Sequence, residues 1–227
     1  MSYYDNVNQT ILDLIPVTAT SICEFGCGAG ALARAVRVNT PNIYYVGVEI
    51  AEDQLALASE ILDMGLLRNI DHVKDWDSDE ELSLALPLNS FDHVILGDVL
   101  EHLYDPQLVM NEAARRLKPG GCAIVCIPNV QHWSVFANLV AGSWPRQDSG
   151  LFDRTHIRWF TLEDMVHLVE SAGLSVETVV PRIFDEPKGL SVMEDLEALA
   201  LNLSVSPDAL IHRGMVLQFV LVGRKAL

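Results

Sequence analysis

Short apolar runs alternate with amphipathic stretches along most of the chain. Four runs of aliphatic and β-branched residues have the length of strands that are buried on both faces, and such strands form parallel sheets covered by helices. These predicted strands are Ser21–Phe25, Ile43–Val48, Phe91–Leu96 and Cys122–Ile127, with a weaker one at Ile70–Val73. The alternation predicts an α/β fold with a doubly wound sheet.

Helix boundary signals lie between the predicted strands. The predicted helices are Ala29–Val38, Ala51–Met64, Pro106–Leu117 and the segment from Thr161 to Gly173. Gly65 is expected to end the second helix, as glycine often does. Asp105 and Pro106 combine an N-capping carboxylate with proline at the first helical position. Thr161 is expected to cap the last of these helices, and the Pro119-Gly120-Gly121 turn to follow the third.

The last part of the chain departs from simple alternation. Leu174–Phe184 and Met215–Gly223 are predicted strands, and the acidic segment between them is predicted to be partly helical over Val192–Leu201. A closing pair of strands after an α/β series suggests that the final strand inserts antiparallel to the others. Residues 128–160 form a long connection rich in tryptophan and arginine, and such connections usually cover the ligand site in α/β proteins.

Composition narrows the function classes. The chain has 227 residues, of which half are apolar, and 15 basic residues against 31 acidic ones give a net charge of −16. Such a charge disfavours nucleic acid and anionic membrane as partners. The first ten residues lack the basic and apolar regions of a signal peptide, so a cytoplasmic protein is expected. The four cysteines lie in apolar strand context and are interpreted as buried free thiols.

A glycine-rich turn is the strongest local signal for a ligand site. Glu24 precedes Gly26, Gly28 and Gly30, which follow an apolar strand and open a helix. Glycine permits a sharp turn and close approach of a ligand to the backbone. Glu49 ends the next predicted strand, where an acid can accept hydrogen bonds from both ribose hydroxyls of a nucleoside. The turn also fits a loose dinucleotide fingerprint, but Glu24 would repel a diphosphate, which favours a nucleoside without pyrophosphate.

Several segments have a familiar order and spacing. They are ICEFGCGAG at 22–30, Glu49, HVKDW at 72–76, FDHVILGDVLEHL at 91–103 and RLKPGG at 116–121. Together they resemble the class I S-adenosylmethionine-dependent methyltransferases. IPNVQHW at 127–133 and GLFDRTHIRWFT at 150–161 are similar to a bacterial subgroup often linked to methylation of sugars, cell-surface polysaccharides or small metabolites.

The resemblance implies one Rossmann-like domain over residues 1–227. Its doubly wound, seven-stranded sheet would be mostly parallel with the last strand antiparallel, and residues 1–18 and 128–160 would form a cap. The implied cofactor is S-adenosylmethionine, which is converted to S-adenosylhomocysteine. The implied cofactor-binding residues are Tyr4, Glu24, Gly26, Cys27, Gly28, Gly30, Glu49, Ile50, Asp75, Trp76, Gly97 and Asp98.

The resemblance also implies a role for several of these residues. The glycines would let the backbone run close to the methionine part of the cofactor, with Glu24 near its amino group. Glu49 would hold the ribose. Ile50 would lie against the adenine and Asp75 would accept from its exocyclic amine, with Trp76 adjacent. Gly97 and Asp98 would lie beside the methionine portion. Tyr4 would close over the cofactor.

The expected reaction sets what the acceptor side must supply. Methyl transfer from a sulfonium is an in-line displacement that depends on alignment, and a hydroxyl acceptor also needs a base. The candidate bases are His156, favoured by its place in the expected cap, and His102. Each has a structural alternative, since His156 could hold the cap together and His102 could shape the cofactor pocket. The predicted substrate-binding residues are His132, Arg154 and Arg158.

The expected activity is methyl transfer to a small-molecule, sugar or glycan hydroxyl. The three arginines within residues 144–158 suggest an anionic group on the acceptor, with internal Arg–Asp pairing as the alternative. Methylation of an amine or a protein stays open. More distant alternatives are a non-catalytic nucleoside-binding protein and a nicotinamide-dependent oxidoreductase. No metal site is expected, and the pattern leaves the oligomeric state undefined.

Overall fold

The computed structural model describes residues 7–184 and 186–227, and its centre is a mixed sheet of seven strands. The strands are β1 (Ser21–Phe25), β2 (Tyr44–Glu49), β3 (Met64–Leu67), β4 (Phe91–Gly97), β5 (Leu117–Pro128), β6 (Leu174–Arg182) and β7 (Gln218–Lys225). Their order is β3-β2-β1-β4-β5-β7-β6, and β7 pairs antiparallel with both β5 and β6 while the pairs from β3 to β5 are parallel. The predicted α/β fold with an antiparallel last strand is confirmed.

Helices cover both faces of the sheet. They are α1 (Gln9–Leu14), α2 (Ala31–Asn39), α3 (Glu52–Ala58), α4 (Glu80–Ala85), α5 (Pro106–Arg116), α6 (Trp133–Val140), α7 (Leu162–Ser171), α8 (Glu186–Asp195), α9 (Glu197–Asn202) and α10 (Pro207–Gly214). Side chains of α1 and α2 pack in one apolar cluster, and those of α4, α5 and α7 pack in a larger cluster. Among the described residues, no helix combines the length and apolar character needed to cross a bilayer.

Two predicted helix starts are confirmed at the level of hydrogen bonds. The Thr161 side chain accepts the Asp164 backbone N–H while the Asp164 carboxylate accepts the Thr161 N–H, which completes a capping box at α7. Asp105 accepts the Leu108 N–H at 3.0 Å and precedes Pro106 at the start of α5. Each cap satisfies N–H groups that lack a partner within the helix.

The third strand lies elsewhere than predicted. Residues Ile70–His72 form a single 3-10 turn, and β3 is Met64–Leu67. The predicted helix from Ala51 therefore ends at Ala58, and Gly65 is a strand residue opposite Gly47. A Cβ on Gly65 would lie 2.9 Å from a methyl carbon of Leu55, so this glycine lets α3 pack closely on the sheet.

The fifth strand begins earlier than predicted. Helix α5 ends at Arg116 and β5 follows at Leu117, so Pro119-Gly120-Gly121 lies inside a long strand with an irregular register against β4. Gly120 has a φ of 77°, which accommodates this irregularity. The predicted strand Met215–Gly223 begins only at Gln218, and the acidic segment before it holds three helices in place of one.

Candidate active site

A cavity of about 310 Å³ opens at the carboxyl ends of β1, β4 and β5. Doubly wound sheets bind ligands at this edge. The predicted cofactor residues that line the cavity are Glu24, Gly26, Cys27, Gly28, Gly97 and Asp98, and His156 lines it as well. Residues that the sequence did not single out complete the wall, chiefly Asn8, Ile11, Arg182, Phe184 and Gln218. Tyr4 lies outside the described residues.

The glycine turn has the left-handed backbone that its composition suggests. Gly26, Gly28 and Gly30 have φ values of 68°, 50° and 78°, a region that side-chain-bearing residues rarely adopt. A Cβ on Gly26 would lie 2.7 Å from Val99 Cγ2, and one on Gly30 would lie 2.8 Å from Ile61 Cγ2. At Gly26 and Gly30, larger residues are therefore disfavoured both by conformation and by space.

Glu24 is a buried acid of β1 that lines the cavity. Its Oε2 accepts the hydroxyl hydrogen of Tyr45 at 2.7 Å. Burial raises the pKa of Glu24 to about 8, and the nearby Glu49 adds to this rise against the effect of the Tyr45 hydrogen bond. A positively charged ligand group beside Glu24 would relieve the cost of ionising it there.

Glu49 holds the glycine turn to the end of β2. Its Oε2 accepts the Gly28 N–H at 2.8 Å, while its Oε1 accepts the N–H groups of Ile50 and Ala51 at 2.8 and 2.9 Å. The side chain is buried behind the turn and does not line the cavity. The assignment of Glu49 to a ribose stays a prediction, and its contribution to the shape of the turn is a finding that the sequence did not suggest.

The residues predicted to contact an adenine lie away from this cavity. Ile50 is exposed and lines a shallow surface depression with Leu67 and Asn69 among others. The Asp75 carboxylate accepts hydrogen bonds from the N–H groups of Asp77 and Ser78 and from the Ser78 hydroxyl. Its oxygens therefore already have partners within the turn that follows it. Asp75 lines neither the cavity nor the depression.

The Trp76 side chain lies in the core and does not line the cavity, and its contact with the cofactor stays a prediction. Its side chain is fully buried in the larger apolar cluster, with its ring edge-on to Phe25 at 5.5 Å and the Arg116 guanidinium 5.9 Å from its centre. The indole N–H donates to the Val73 carbonyl at 3.1 Å. The residue is therefore part of the core, where an aromatic ring with a satisfied N–H packs well.

A hydrogen-bonded chain of polar side chains lies toward the β6–β7 end of the cavity. Arg182 and Gln218 face each other across the β6–β7 pair, and the Arg182 guanidinium donates to the Gln218 amide oxygen. The Gln218 amide N–H donates in turn to the Asp98 carboxylate. Burial raises the pKa of Asp98 to about 6, although Arg182 and Gln218 oppose this rise. The sequence carried no local signal for Arg182 or Gln218, because the insertion of β7 brings them to the site.

His156 and His102 lie together beside a buried acid, Glu101. The two imidazole rings are 4.8 Å apart, and Nε2 of His156 is 3.9 Å from Oε1 of Glu101. The Glu101 carbonyl accepts the N–H groups of Ile157 and Arg158 at 3.0 Å, which anchors the segment that carries His156. Burial, then the neighbouring Asp98, raises the pKa of Glu101 well above its usual value, and burial lowers that of His156.

Glu101, His102 and His156 form the group of described residues with the spacing of metal ligands. One donor atom from each lies within 4.8 Å of the donor atoms of the other two. From the sequence, the two histidines were separate candidates and Glu101 was not among the candidate residues, so no metal site was expected. The segment DVLEHL places an acid and a histidine side by side immediately after a strand.

The three predicted substrate-binding residues have other contacts and do not line the cavity. His132 caps α6, where its Nδ1 lies 2.8 Å from the Ser134 hydroxyl. Arg154 forms an ion pair with Asp148, and Arg158 donates to the Tyr104 carbonyl at 2.6 Å. The internal pairing weighed as the alternative for the arginines therefore describes Arg154, while Arg182 supplies a guanidinium to the cavity.

Comparison with known sequences identifies the family. Residues 4–179 match the model of a family described as a methyltransferase domain. The ubiquinone biosynthesis O-methyltransferase of Idiomarina loihiensis is 29% identical over 179 residues, which cover 76% of this chain and 69% of that protein. The human mitochondrial protein of the same name is 25% identical over 181 residues, which cover 77% of this chain and 46% of the human one.

Solved structures share the fold at low identity. An S-adenosylmethionine-dependent methyltransferase of Thermotoga maritima superposes with a TM-score of 0.62 and 22% identity, covering 96% of this chain and 86% of that one. Phosphoethanolamine N-methyltransferase 2 of Haemonchus contortus, in complex with S-adenosylmethionine, gives 0.62 and 18% identity over 97% and 52% of the two chains. The [4+2]-cyclase SpnF gives 0.60 with 17% identity over 96% and 79%, so the fold alone does not define the reaction.

The cavity fits the cofactor of this family. Gly26 and Gly28 line the cavity without side chains, which lets a ligand approach their backbone, and the buried Glu24 offers a carboxylate to the amino group of a methionine moiety. The matched family, the sheet order and this fit agree with one another. The chain therefore belongs to the class I S-adenosylmethionine-dependent methyltransferases, with S-adenosylmethionine as its cofactor.

Proposed function

We propose that this enzyme methylates a hydroxyl group of a small molecule that also carries an anionic group. The observation that carries the proposal is the composition of one continuous cavity. Along the strand order, the glycine turn and Glu24 lie at its β1 end and Arg182 and Gln218 lie at its β6–β7 end, while His156 lines it from the 128–160 segment. A methyl donor at the first end and an acceptor at the second would share one enclosed space, as an in-line transfer requires.

The chain's own residues would hold the donor and align the acceptor. S-adenosylmethionine supplies, when bound, a methyl group on a sulfonium that leaves as a neutral thioether. Glu24 would pair with the amino group of the methionine moiety, and the glycine turn would follow its backbone-like part. Arg182 would bind the anionic group of the acceptor, and Gln218 would hold the guanidinium in place through the hydrogen bond between them.

The acceptor hydroxyl loses its proton during the transfer, so a group near it must favour the alkoxide or phenolate. The cluster of Glu101, His102 and His156 lies where β4 ends and reaches the cavity through His156. His156 as a base for this proton remains the prediction from the sequence. An amine acceptor needs only to be neutral and does not require a base. The presence of three polar side chains at this place therefore favours a hydroxyl acceptor.

Residues 128–160 would act as a cap over the acceptor end. Pro128, Gly150, Leu151 and His156 from this segment line the cavity, together with Asn8 and Ile11 from the predicted N-terminal cap. The segment is anchored by the Glu101 carbonyl, which accepts the N–H groups of Ile157 and Arg158, and by the hydrogen bond from the Asn129 N–H to the Leu217 carbonyl. Such a cap would exclude water from the transfer while leaving the acceptor's outer portion free to vary.

The activity for which two relatives are named supports a hydroxyl acceptor. Two bacterial proteins of which this chain covers about two thirds are named ubiquinone biosynthesis O-methyltransferases. At 26% and 29% identity they support the class of acceptor atom better than the acceptor itself. Sugar hydroxyls, which the DRTHIRWF-type segment suggests, fall within the same proposal and form one arm of its test.

The test compares turnover on different classes of acceptor. Purified enzyme with S-adenosylmethionine is given panels of phenols, sugars and amines, each with matched members that bear or lack a carboxylate or phosphate. Formation of S-adenosylhomocysteine and the mass of the methylated product are measured. We expect turnover on hydroxyl compounds that carry an anion. Turnover confined to amines, or equal turnover on neutral and anionic members, would overturn the proposal.

A further inference from the structure

We propose that Glu101, His102 and His156 bind a divalent transition metal ion of the Zn²⁺ type at the acceptor end of the cavity. Two imidazoles and one carboxylate with an open position are a common ligand set for catalytic Zn²⁺ and for non-haem Fe²⁺. The proposal rests on the distances between the three side chains, on their second hydrogen bonds and on the burial of the acid.

The spacing of the three donor atoms suits a metal site that closes slightly on binding. All three lie within 4.8 Å of one another, and Glu101 Oε1 is 3.9 Å from His156 Nε2. Ligands of Zn²⁺ lie about 2.0–2.2 Å from the ion, which places them roughly 3.3–3.6 Å apart in a tetrahedral site. Small side-chain rotations are enough to make up the difference.

In both histidines, Nδ1 makes a hydrogen bond to another part of the protein, and the free lone pair of the neutral ring therefore lies on Nε2. Nδ1 of His156 lies 3.2 Å from the Leu151 carbonyl, and Nδ1 of His102 lies 3.2 Å from the Thr155 carbonyl. Nδ1 of His102 also lies 3.1 Å from the Thr155 hydroxyl, which donates its own hydrogen to Asp153 and is therefore an acceptor toward the ring. A carbonyl oxygen only accepts, so in each neutral ring the hydrogen lies on Nδ1. Metal-binding histidines usually donate their other ring N–H in this manner, because the contact fixes both tautomer and orientation.

The buried carboxyl group of Glu101 lacks a hydrogen-bond partner in the part of the chain that the structure describes. The side chain is 1% exposed, and both of its carboxylate oxygens are unpartnered there. An unpartnered buried carboxyl group is costly, and buried charges in proteins are paired or coordinate metals. A cation between Glu101 and the two imidazoles would supply the missing partner.

The ligand types favour a transition metal over Mg²⁺. Mg²⁺ prefers an octahedral set of oxygens and keeps several waters, whereas imidazole nitrogens suit Zn²⁺, Fe²⁺ and similar ions. Three protein ligands also leave a position for a ligand from the cavity, which His156 lines. The open position would therefore face the acceptor.

The part that the ion plays in catalysis rests on the proposed function, whereas its binding does not. An acceptor hydroxyl bound at the open position would lose its O–H proton to water at a lower pH, because the ion stabilises the oxyanion. The oxygen lone pair then forms the new O–CH₃ bond as the C–S bond breaks, and its electron pair stays on sulfur. The ion is neither oxidised nor reduced, so Zn²⁺ is sufficient.

Metal binding is tested without reference to activity. Chelator-treated enzyme is titrated with Zn²⁺, Co²⁺ and Mg²⁺ by calorimetry, and the visible absorption of bound Co²⁺ reports nitrogen ligation. We expect one Zn²⁺ per chain, a Co²⁺ spectrum, and weaker binding of Mg²⁺. Glu101→Gln, His102→Ala and His156→Ala should each weaken Zn²⁺ binding by about 100-fold or more, since even second hydrogen bonds of ligands contribute 10- to 100-fold.

The control variant is His167→Ala, whose exposed side chain lies on α7. Its Zn²⁺ affinity should equal that of the wild type. Circular dichroism and thermal unfolding verify that each variant folds, and Glu101→Gln provides an isosteric change if an alanine variant does not. Equal Zn²⁺ affinity in wild type and Glu101→Gln, or tighter binding of Mg²⁺ than of Zn²⁺, would overturn the metal site.

Activity then separates the metal site from the proposed reaction. Methyl transfer to a hydroxyl acceptor that is lost on chelation and restored by Zn²⁺ or Co²⁺ supports both. Transfer that persists in the chelated enzyme refutes the catalytic part of the metal proposal and leaves His156 as the base. Stoichiometric Zn²⁺ binding with turnover only on amines refutes the proposed function alone.

Discussion

The carboxylate of Glu49 accepts the backbone N–H of Gly28 at 2.8 Å, which joins the end of β2 to the middle of the glycine turn. The same carboxylate also accepts two N–H groups immediately after β2. One side chain therefore fixes the relative position of two connections that the sequence separates by about twenty residues. The shape of the cofactor end depends on this junction as much as on the glycines themselves.

Replacing Glu49 with glutamine should weaken cofactor binding without unfolding the protein. Glutamine retains one acceptor oxygen but loses the charge and the second acceptor, and hydrogen bonds to charged groups contribute about 1.5–3 kcal/mol. We expect the dissociation constant of S-adenosylhomocysteine to rise by about 10- to 100-fold by calorimetric titration. The exposed Glu52 gives a control, Glu52→Gln, with unchanged affinity. If Glu49→Gln binds as tightly as the wild type, the junction does not shape the site.

The buried Glu24 should make stability depend on pH. Its pKa is about 8 in the folded protein against an ordinary value of 4.5, so between these values the folded state holds a proton that the unfolded chain has lost. The Glu24 contribution is therefore fully present below pH 4.5 and is lost as the pH rises to about 8.

Urea unfolding of Glu24→Gln and wild type, at several pH values without cofactor, checks this sign. The free energy of unfolding of the wild type should fall relative to that of the variant by up to about 1.4 kcal/mol per pH unit across this range. Above pH 8 the difference should become constant. A difference that does not change with pH, or one equal to that for the exposed Glu60→Gln, would contradict the assignment.

Trp76 should matter for stability and not for the ligand. Its ring is fully buried between Phe25 and the Arg116 guanidinium, so Trp76→Leu leaves a cavity and we expect a loss of about 2–4 kcal/mol. Chemical unfolding measures that loss. At a temperature where the variant is folded, the affinity for S-adenosylhomocysteine should equal that of the wild type, and a large drop there would return Trp76 to the cofactor site.

Substitution of Arg182 should weaken acceptor binding and leave cofactor binding unchanged. Removing its charge by Arg182→Gln should raise the KM of an anionic acceptor by about 10- to 100-fold, the loss of one charged hydrogen-bonded contact. The dissociation constant of S-adenosylhomocysteine should stay unchanged. In the control Arg154→Gln, neither the acceptor KM nor this dissociation constant should change. The reverse outcome, weaker cofactor with an unaltered acceptor KM, would place Arg182 at the carboxylate of the cofactor.

Features that depend on a few neighbouring residues could be predicted from the sequence. β1 has the predicted bounds, and the caps at Thr161 and Asp105 have the predicted hydrogen bonds. These signals are local, since a capping side chain and the N–H that it accepts are three residues apart. The glycine turn also belongs to this class, because its backbone geometry follows from three closely spaced glycines.

The structure departs from a local signal where packing overrides it. Gly65 follows a helical pattern and so resembles a helix end, yet its lack of a side chain serves the contact between α3 and β3. Trp76 follows Asp75 in sequence, but the turn directs the indole into the core and the carboxylate toward Ser78. Neither outcome is visible without the neighbours from other parts of the chain.

The acceptor end was the least predictable part of the site. Asp98, Gln218 and Arg182 are far apart in sequence and meet only because β7 lies between β5 and β6. Glu101 stands beside a histidine in DVLEHL, but its significance depends on the approach of His156 from a distant loop. Long-range strand pairing, which no local pattern encodes, determines both arrangements.

The position of β7 in the sheet has a consequence for how the enzyme is made. β7 follows all six other strands in the chain, yet it is inserted between two of them and carries Gln218 to the acceptor end. During synthesis the ribosome therefore completes the glycine turn and its Glu49 junction well before it completes the chain of Arg182, Gln218 and Asp98. The acceptor end therefore depends on the part of the chain that is synthesised last.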